Sequence, residues 1–296
     1  MQEVEEEVQT YEFLDEDHVA LTLSTTCLRR TTSLLSSRAD RTGSYRWWAG
    51  TLLASLLVSR SSSALRGSTV CELGCGASAL LATVAIACGA AAAAATDGDA
   101  ATLPLALRNM RAAGGPAAAA AAAALPLRWG PCAPASAAAE AAVARALGAP
   151  LDLLLASEVL YLHWGGGEAW GFEEQGLALF SLAKRLLQPT GCFLCVYTPR
   201  YRGMARGLRA AAQRAGVALR TIARRAILTP ALAATHAFTD TRVVAVAPSR
   251  DALQHWLVRR LGDPPPAAAA DDSEEEGEEA AGVGVGAPLA SVRPFE

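Results

Sequence analysis

At 296 residues the chain is long enough for one large domain or two small ones, and 52% hydrophobic residues can bury a sizeable core. Alanine tracts inflate that figure, and no apolar stretch of membrane-spanning length runs free of polar or glycine interruptions, so a helical membrane span is excluded. The formal net charge of −3 hides an asymmetry: acidic residues crowd both ends (3–17 and 271–279) while residues 18–270 are basic.

Residues 1–45 read as an acidic N-terminal extension with one or two strands, one of them near 18–23. The leading glutamates do not fit a signal or transit peptide. Residues 47–59 read as an amphipathic helix, with Trp48, Leu52, Leu53, Leu56 and Leu57 at helical spacing, and 61–68 as a loop. Strands and helices then alternate. Strand one is 69–73, a helix covers 78–88, strand two is 90–96, and a helix covers 100–112. Strand three is placed at 125–129 and strand four at 151–156. A helix at 173–187 stops at Pro189, and strand five is 191–197. An arginine-rich helix spans 201–215, and the last strands are 217–222 and 242–247. The alternation predicts an α/β fold: a doubly wound, mostly parallel seven-stranded Rossmann-like sheet over residues 46–262. Residues 263–296 lack large apolar groups and read as a disordered acidic tail.

The seven cysteines are scattered and odd in number. Cys192 and Cys195 form one C-x-x-C inside a predicted strand, with no second pair for zinc, so no metal is expected. They read as reduced, mostly buried thiols of a cytoplasmic or nuclear protein. Arg29, Arg30, Arg38, Arg41 and Arg46 form one basic cluster, and Arg200, Arg202, Arg206, Arg209 and Arg214 another. They fit an acidic partner or screening by the chain's own acidic ends.

The densest chemistry lies in Val70-Cys71-Glu72-Leu73-Gly74-Cys75-Gly76, where a strand runs into a glycine-rich turn and then a helix. Glycine lets the backbone turn sharply and approach a ligand, and the helix N-terminus offers bare N–H groups. The segment also fits the G-x-G-x-x-A dinucleotide fingerprint. Glu72 separates the two readings. It would repel a pyrophosphate and accept the cationic S-adenosylmethionine. Asp97, closing strand two, suits ribose hydroxyls in either case. At the end of strand four, Ser157-Glu158-Val159-Leu160-Tyr161 places a carboxylate and a tyrosine three apart. Such a pair grips an amine: the carboxylate accepts a charge-assisted hydrogen bond and the ring narrows the pocket.

Four segments in this order resemble the seven-β-strand (class I) protein-lysine methyltransferases (methyltransferase-like, family 16), whose signature is D-x-x-Y or E-x-x-Y after strand four. They are the tryptophan-led helix from Arg46-Trp47-Trp48, Glu72-Leu73-Gly74-Cys75-Gly76, Leu127-Arg128-Trp129-Gly130, and Ser157-Glu158-Val159-Leu160-Tyr161. The resemblance implies that Glu72, Gly74 and Gly76 line the methionine end of S-adenosyl-L-methionine. It also implies that Asp97 binds the ribose, Trp129 lies along the adenine, Trp48 closes the pocket, and Ser157 joins the cofactor residues. Glu158 and Tyr161 are the implied catalytic pair. Two departures stand out: Ser78 replaces a third glycine, and Glu158 replaces the commoner aspartate.

The expected activity is methyl transfer to a lysine amine of a protein substrate by a monomer, with no membrane partner. Nucleic acid is the alternative acceptor. The basic body favours it, and the absence of a proline pair after strand four counts against it. A small-molecule methyltransferase and a non-catalytic methyltransferase-like binding module are the remaining readings.

Overall fold

The computed structural model describes residues 6–15, 18–28, 48–130, 135–148, 150–160, 164–165, 168–169, 171–199, 203–222 and 241–258. The acidic tail, the whole 29–46 arginine cluster, Arg200 and Arg202 of the second cluster, Trp47 and Tyr161 lie outside them.

Two strands open the described chain, β1 (Glu6–Asp15) and β2 (His18–Leu28), paired as an antiparallel hairpin with a bulge at Phe13/Leu14. The one or two strands expected in residues 1–45 are thus two, of which the sequence locates the one near 18–23, because the glutamate run masks β1. Tyr11 and Phe13 nevertheless alternate inward past exposed Glu12, and their rings stack at 6.1 Å.

Helix α1 (Trp48–Leu65) follows. Leu52, Leu53, Ala54, Leu56 and Leu57 are all buried, so this is a core helix and not a surface amphipathic one. It runs through most of the stretch expected as a loop. Serine costs only about 0.5 kcal/mol in a helix interior, and the chain leaves the helix at Gly67, whose φ is 72°.

The remaining elements alternate as expected: β3 (Thr69–Leu73), α2 (Leu80–Ala87), β4 (Ala92–Asp97), α3 (Leu103–Ala112), the short α4 (Pro116–Ala120), and β5 (Ala122–Pro126). Next come α5 (Ala137–Leu147), β6 (Leu151–Ser157), and a two-residue ladder of β7 (Trp164–Gly165) with β8 (Glu168–Ala169). Then follow α6 (Phe172–Leu186), β9 (Leu187–Tyr197), α7 (Met204–Ala215), β10 (Ala218–Ile222), β11 (Arg242–Ala247), and α8 (Arg250–Trp256).

Seven strands form one sheet in the order β10-β11-β9-β6-β3-β4-β5. Only β11 runs against its neighbours. The chain winds outward from β3 through β4 to β5, then returns to the other side at β6. The order therefore reverses between β3 and β6, and the crevice at their carboxyl ends is the place where such sheets bind ligands.

Three expectations shift. Strand three is β5, in the alanine tract, and not 125–129. Ala122, Ala123 and Ala124 pair with Ala93, Ala94 and Ala95, so pairing to β4 overrides alanine's poor strand preference. Helix α5 was not read at all, although Ser136 caps its start (Oγ accepts from Ala139 N–H at 3.2 Å) and Gly148 ends it at φ 67°. Helix α8 was also missed, with Ser249 as its cap.

The sheet divides the core in two. Leu53, Leu81, Val84, Met110 and Trp256 pack on one face, and Val143, Leu179, Phe180 and Leu208 on the other. Side chains along β9 alternate between them: Cys192, Leu194 and Val196 face the first, Phe193, Cys195 and Tyr197 the second. The two cysteines of the C-x-x-C thus lie on opposite sides of the sheet and cannot grip one ion. Burial pushes both thiols up.

Candidate active site

The site is built around the turn after β3. Gly74 (φ 65°) and Gly76 (φ 55°) both occupy the left-handed region, where a side chain costs about 1–2 kcal/mol. Gly74 carries a second constraint. A Cβ there would stand 2.7 Å from Cγ1 of Val159, so any side chain would force Val159 to move. The turn is pinned to β4: Cys75 N–H donates to the Thr96 carbonyl at 3.0 Å, and Gly76 N–H to Oδ2 of Asp97 at 2.8 Å. Oδ1 of Asp97 accepts from Asp99 N–H at 2.8 Å. Burial raises the Asp97 carboxyl above its usual range, opposed by the N–H groups of Asp99 and Gly76.

Glu72 points from β3 to the start of α2. Its Oε2 accepts from Ala82 N–H at 2.8 Å, and the side chain is buried. Burial lifts the carboxyl to about 8, against the pull of the Ala82 and Leu81 N–H groups, and the neighbouring Asp97 adds to the rise. An acidic group is thus held uncharged or nearly so at the helix end, where a nearby cation would favour its ionised form.

The second wall comes from β6. Ser157 ends the strand, and Glu158 turns it with φ 54°, an uncommon conformation for a side-chain-bearing residue. Bonds from described residues hold it: Glu158 N–H donates to the Val196 carbonyl at 2.9 Å, and the Thr198 hydroxyl donates to Oε1 at 2.7 Å. The turn carries Val159 over Gly74. Through Val159 the turn after β6 packs against the turn after β3. Ser157 Oγ is buried without a hydrogen-bond partner among the described residues, 3.3 Å from where a Cβ on Gly50 of α1 would sit.

The expected site residues from β3, β4 and β6 converge: Glu72, Gly74, Gly76, Asp97, Ser157 and Glu158. Trp129 follows β5, half-buried against the α5-side core, two residues past Leu127, whose N–H donates to the Asp97 carbonyl at 3.0 Å. Trp48 is the first residue of α1, and Tyr161 lies outside the described residues. Two contributors escaped the sequence reading. Thr198, just past β9, holds Glu158. Asn109 of α3 is buried, and its Nδ2 donates to the carbonyls of Ala77 (3.0 Å) and Ser78 (3.3 Å) within the turn. A polar residue beside Met110 on the inward face of α3 was the available signal. A surface cavity of about 270 Å³ lies on the α3 flank, lined by Ala77, Thr102 and Arg108 among others. Its walls do not include Glu72, Asp97 or Glu158. Among the described residues no group of His, Cys, Asp and Glu is placed to hold a metal ion, and no helix is long and apolar enough to cross a membrane.

No protein-family model matches the chain, and no curated protein matches it. Solved structures do match. SMU.776, a protein assigned as a methyltransferase and crystallised with SAH, superposes with a TM-score of 0.51 at 12% identity, covering 80% of this chain and 55% of that one. The fold is the class I methyltransferase fold. A protein from Streptococcus mutans assigned as a SAM-dependent methyltransferase follows, with a TM-score of 0.48, 11% identity, and 80% and 55% coverage. PH1948 from Pyrococcus horikoshii, assigned as an RNA methyltransferase, has a TM-score of 0.42 at 12% identity over 72% of this chain and 90% of its own. The chain spans about half the length of the first two. Within the methyltransferase fold, the glycine turn and Glu158 flank the switch point between β3 and β6.

Proposed function

We propose that the chain is a methyltransferase that draws its methyl group from S-adenosylmethionine and delivers it to a lysine amine of a protein. The observation that carries this reading is the contact between Val159 and Gly74. It seats the turn that carries Glu158, the amine-binding carboxylate of this reading, against the glycine turn at the switch point.

The residues present fit the cofactor. Gly74 and Gly76 hold the turn in a left-handed backbone that suits glycine, Ser157 Oγ is a buried hydroxyl without a partner among the described residues, and a buried carboxyl at Glu72 suits a cationic ligand. Asp97 keeps lone pairs for ribose hydroxyls beyond the two N–H bonds it accepts. When bound, S-adenosylmethionine supplies an electrophilic methyl group on a sulfonium centre. The chain's own task is to hold donor and acceptor in line, which is where such a site gains most of its rate. Glu158 binds and orients the incoming amine and Tyr161 narrows its approach. Glu158 stabilises the ammonium form, so its role is orientation and not general base catalysis.

The test is incubation of the full chain with tritiated methyl donor and a cell extract, followed by separate protease and nuclease treatment. Protease-sensitive label recovered as methyl-lysine supports the reading. Label lost to nuclease would replace it with a nucleic-acid acceptor. Transfer should vanish in Glu158→Ala and in Tyr161→Phe while circular dichroism stays unchanged.

A further inference from the structure

Glu158 is one methylene longer than aspartate, and a longer side chain needs a second anchor to hold one direction. The structure supplies it from two other strands. Thr198 follows the last residue of β9, and Thr241 immediately precedes β11. The Thr198 hydroxyl donates to Glu158 Oε1 at 2.7 Å, and the Thr198 and Thr241 hydroxyl oxygens stand 3.5 Å apart. A hydroxyl has one proton to give. Thr198 gives it to the carboxylate, so Thr241, which is buried, is the donor in the longer contact. The chain of hydroxyls is directional and ends on Glu158.

We propose that Thr198 is a positioning residue of the acceptor site: its hydroxyl draws the Glu158 carboxylate toward the end of β9 and the start of β11 and sets where the amine is received. The proposal rests on the methyltransferase reading above and adds to it a specific acceptor wall. Three features support a positioning role over a purely structural one. Thr198 is itself half-buried, so water could satisfy its hydroxyl without Glu158. The Glu158 backbone is already fixed by Val196, so the fold does not need the side-chain bond. The bond links the end of β6 to the end of β9 and, through Thr241, to the start of β11, on the side of β6 away from β3.

The experiment compares the wild-type chain with Thr198→Val, which keeps the shape and removes the hydroxyl, and Thr198→Ser, which restores it. Initial rates of tritium transfer are measured against increasing concentrations of whichever extract fraction the wild type labels. Donor affinity is followed by titration calorimetry with S-adenosylmethionine, and folding by the thermal midpoint. The expected result is about a tenfold loss in the low-concentration slope for Thr198→Val, the size of one hydrogen bond to a charged group. Thr198→Ser should recover most of it, with donor affinity and thermal midpoint unchanged in both. Wild-type rates in Thr198→Val, or a serine variant as poor as the valine, would overturn the proposal. A nuclease-sensitive acceptor would displace lysine as substrate and leave the Thr198 comparison readable on the same counts. Absence of transfer by the wild type into any fraction would sink both readings.

Discussion

Asn109 and Thr26, 83 residues apart in the chain, pair as two strand residues would: Thr26 N–H donates to Oδ1 at 2.8 Å, and Nδ2 donates to the Thr26 carbonyl at 2.8 Å. The same Nδ2 reaches the carbonyls of Ala77 and Ser78 in the glycine turn. One buried side chain therefore ties the N-terminal hairpin, α3 and the turn together. Removing it strands several buried polar groups at once, at about 1–3 kcal/mol each before relaxation. Asn109→Ala is expected to lower stability by about 2–4 kcal/mol, read as a lower urea midpoint with an unchanged m value. Asn109→Asp should be worse, because a carboxylate would face three carbonyl oxygens. Equal midpoints for wild type and alanine variant would remove Asn109 from the turn's support.

How much of this was legible in the sequence divides along physical lines. Strand β3 and the Glu72-Gly74-Gly76 turn were read to the residue, because an apolar run meeting glycines leaves one solution. The positions of β6 and Glu158 followed from the run 151–156. Alanine defeated the reading elsewhere: β5 and α5 are both alanine-rich, and alanine carries neither a period of two nor one of 3.6. Their identity comes from pairing with β4 and from the caps at Ser136 and Gly148. Asn109 and Thr198 were invisible for another reason. Each acts on a residue 31 to 83 positions away, and no local spacing encodes such a contact.

Glu72 should give the apo protein a distinct pH dependence. Its folded carboxyl sits at about 8 against an ordinary value of 4.5. The folded state therefore holds a proton that the unfolded state releases between those values. Its stabilising effect is full below pH 4.5 and is lost as pH rises toward 8. Over that window the loss is on the order of 5 kcal/mol. Glu72→Gln should match wild type near pH 5 and exceed it at pH 8 in urea unfolding. If a cation binds beside Glu72, S-adenosylmethionine binding at pH 6.5 should release a proton, measurable by calorimetry in buffers of different ionisation enthalpy. Parallel stability curves for the two proteins would contradict this account of the buried carboxyl.

The contact between Gly74 and Val159 predicts a compensating pair. Gly74→Ala puts a Cβ 2.7 Å from Val159 Cγ1 and strains a backbone at φ 65°. It should cost about 2–4 kcal/mol and abolish donor binding. Val159→Ala removes the clash but not the strain. The double variant should regain roughly half of the lost stability, read from the coupling in a double-mutant cycle. Strict additivity would mean that the two residues do not touch.

Asp152 is the counterpart that separates fold from function. It lies at the opposite end of β6 from Glu158. Its Oδ2 accepts from Thr69 N–H at 2.8 Å and from the Thr69 hydroxyl at 2.9 Å, while Oδ1 accepts from Gln188. The Thr69 hydroxyl shares its one proton with the Pro150 carbonyl at 2.7 Å, and the carboxylate bonded to Thr69 and Gln188 clamps the starts of β3, β6 and β9 in register. It does so about a strand's length, roughly 20 Å, from the switch-point crevice. Asp152→Ala should therefore lower stability by about 2–3 kcal/mol, measured by urea unfolding. At temperatures where the variant stays folded, its affinity for S-adenosylmethionine by calorimetry should equal that of wild type. Weakened donor binding with an unchanged urea midpoint would reverse the assignment, placing Asp152 with the site and not with the scaffold.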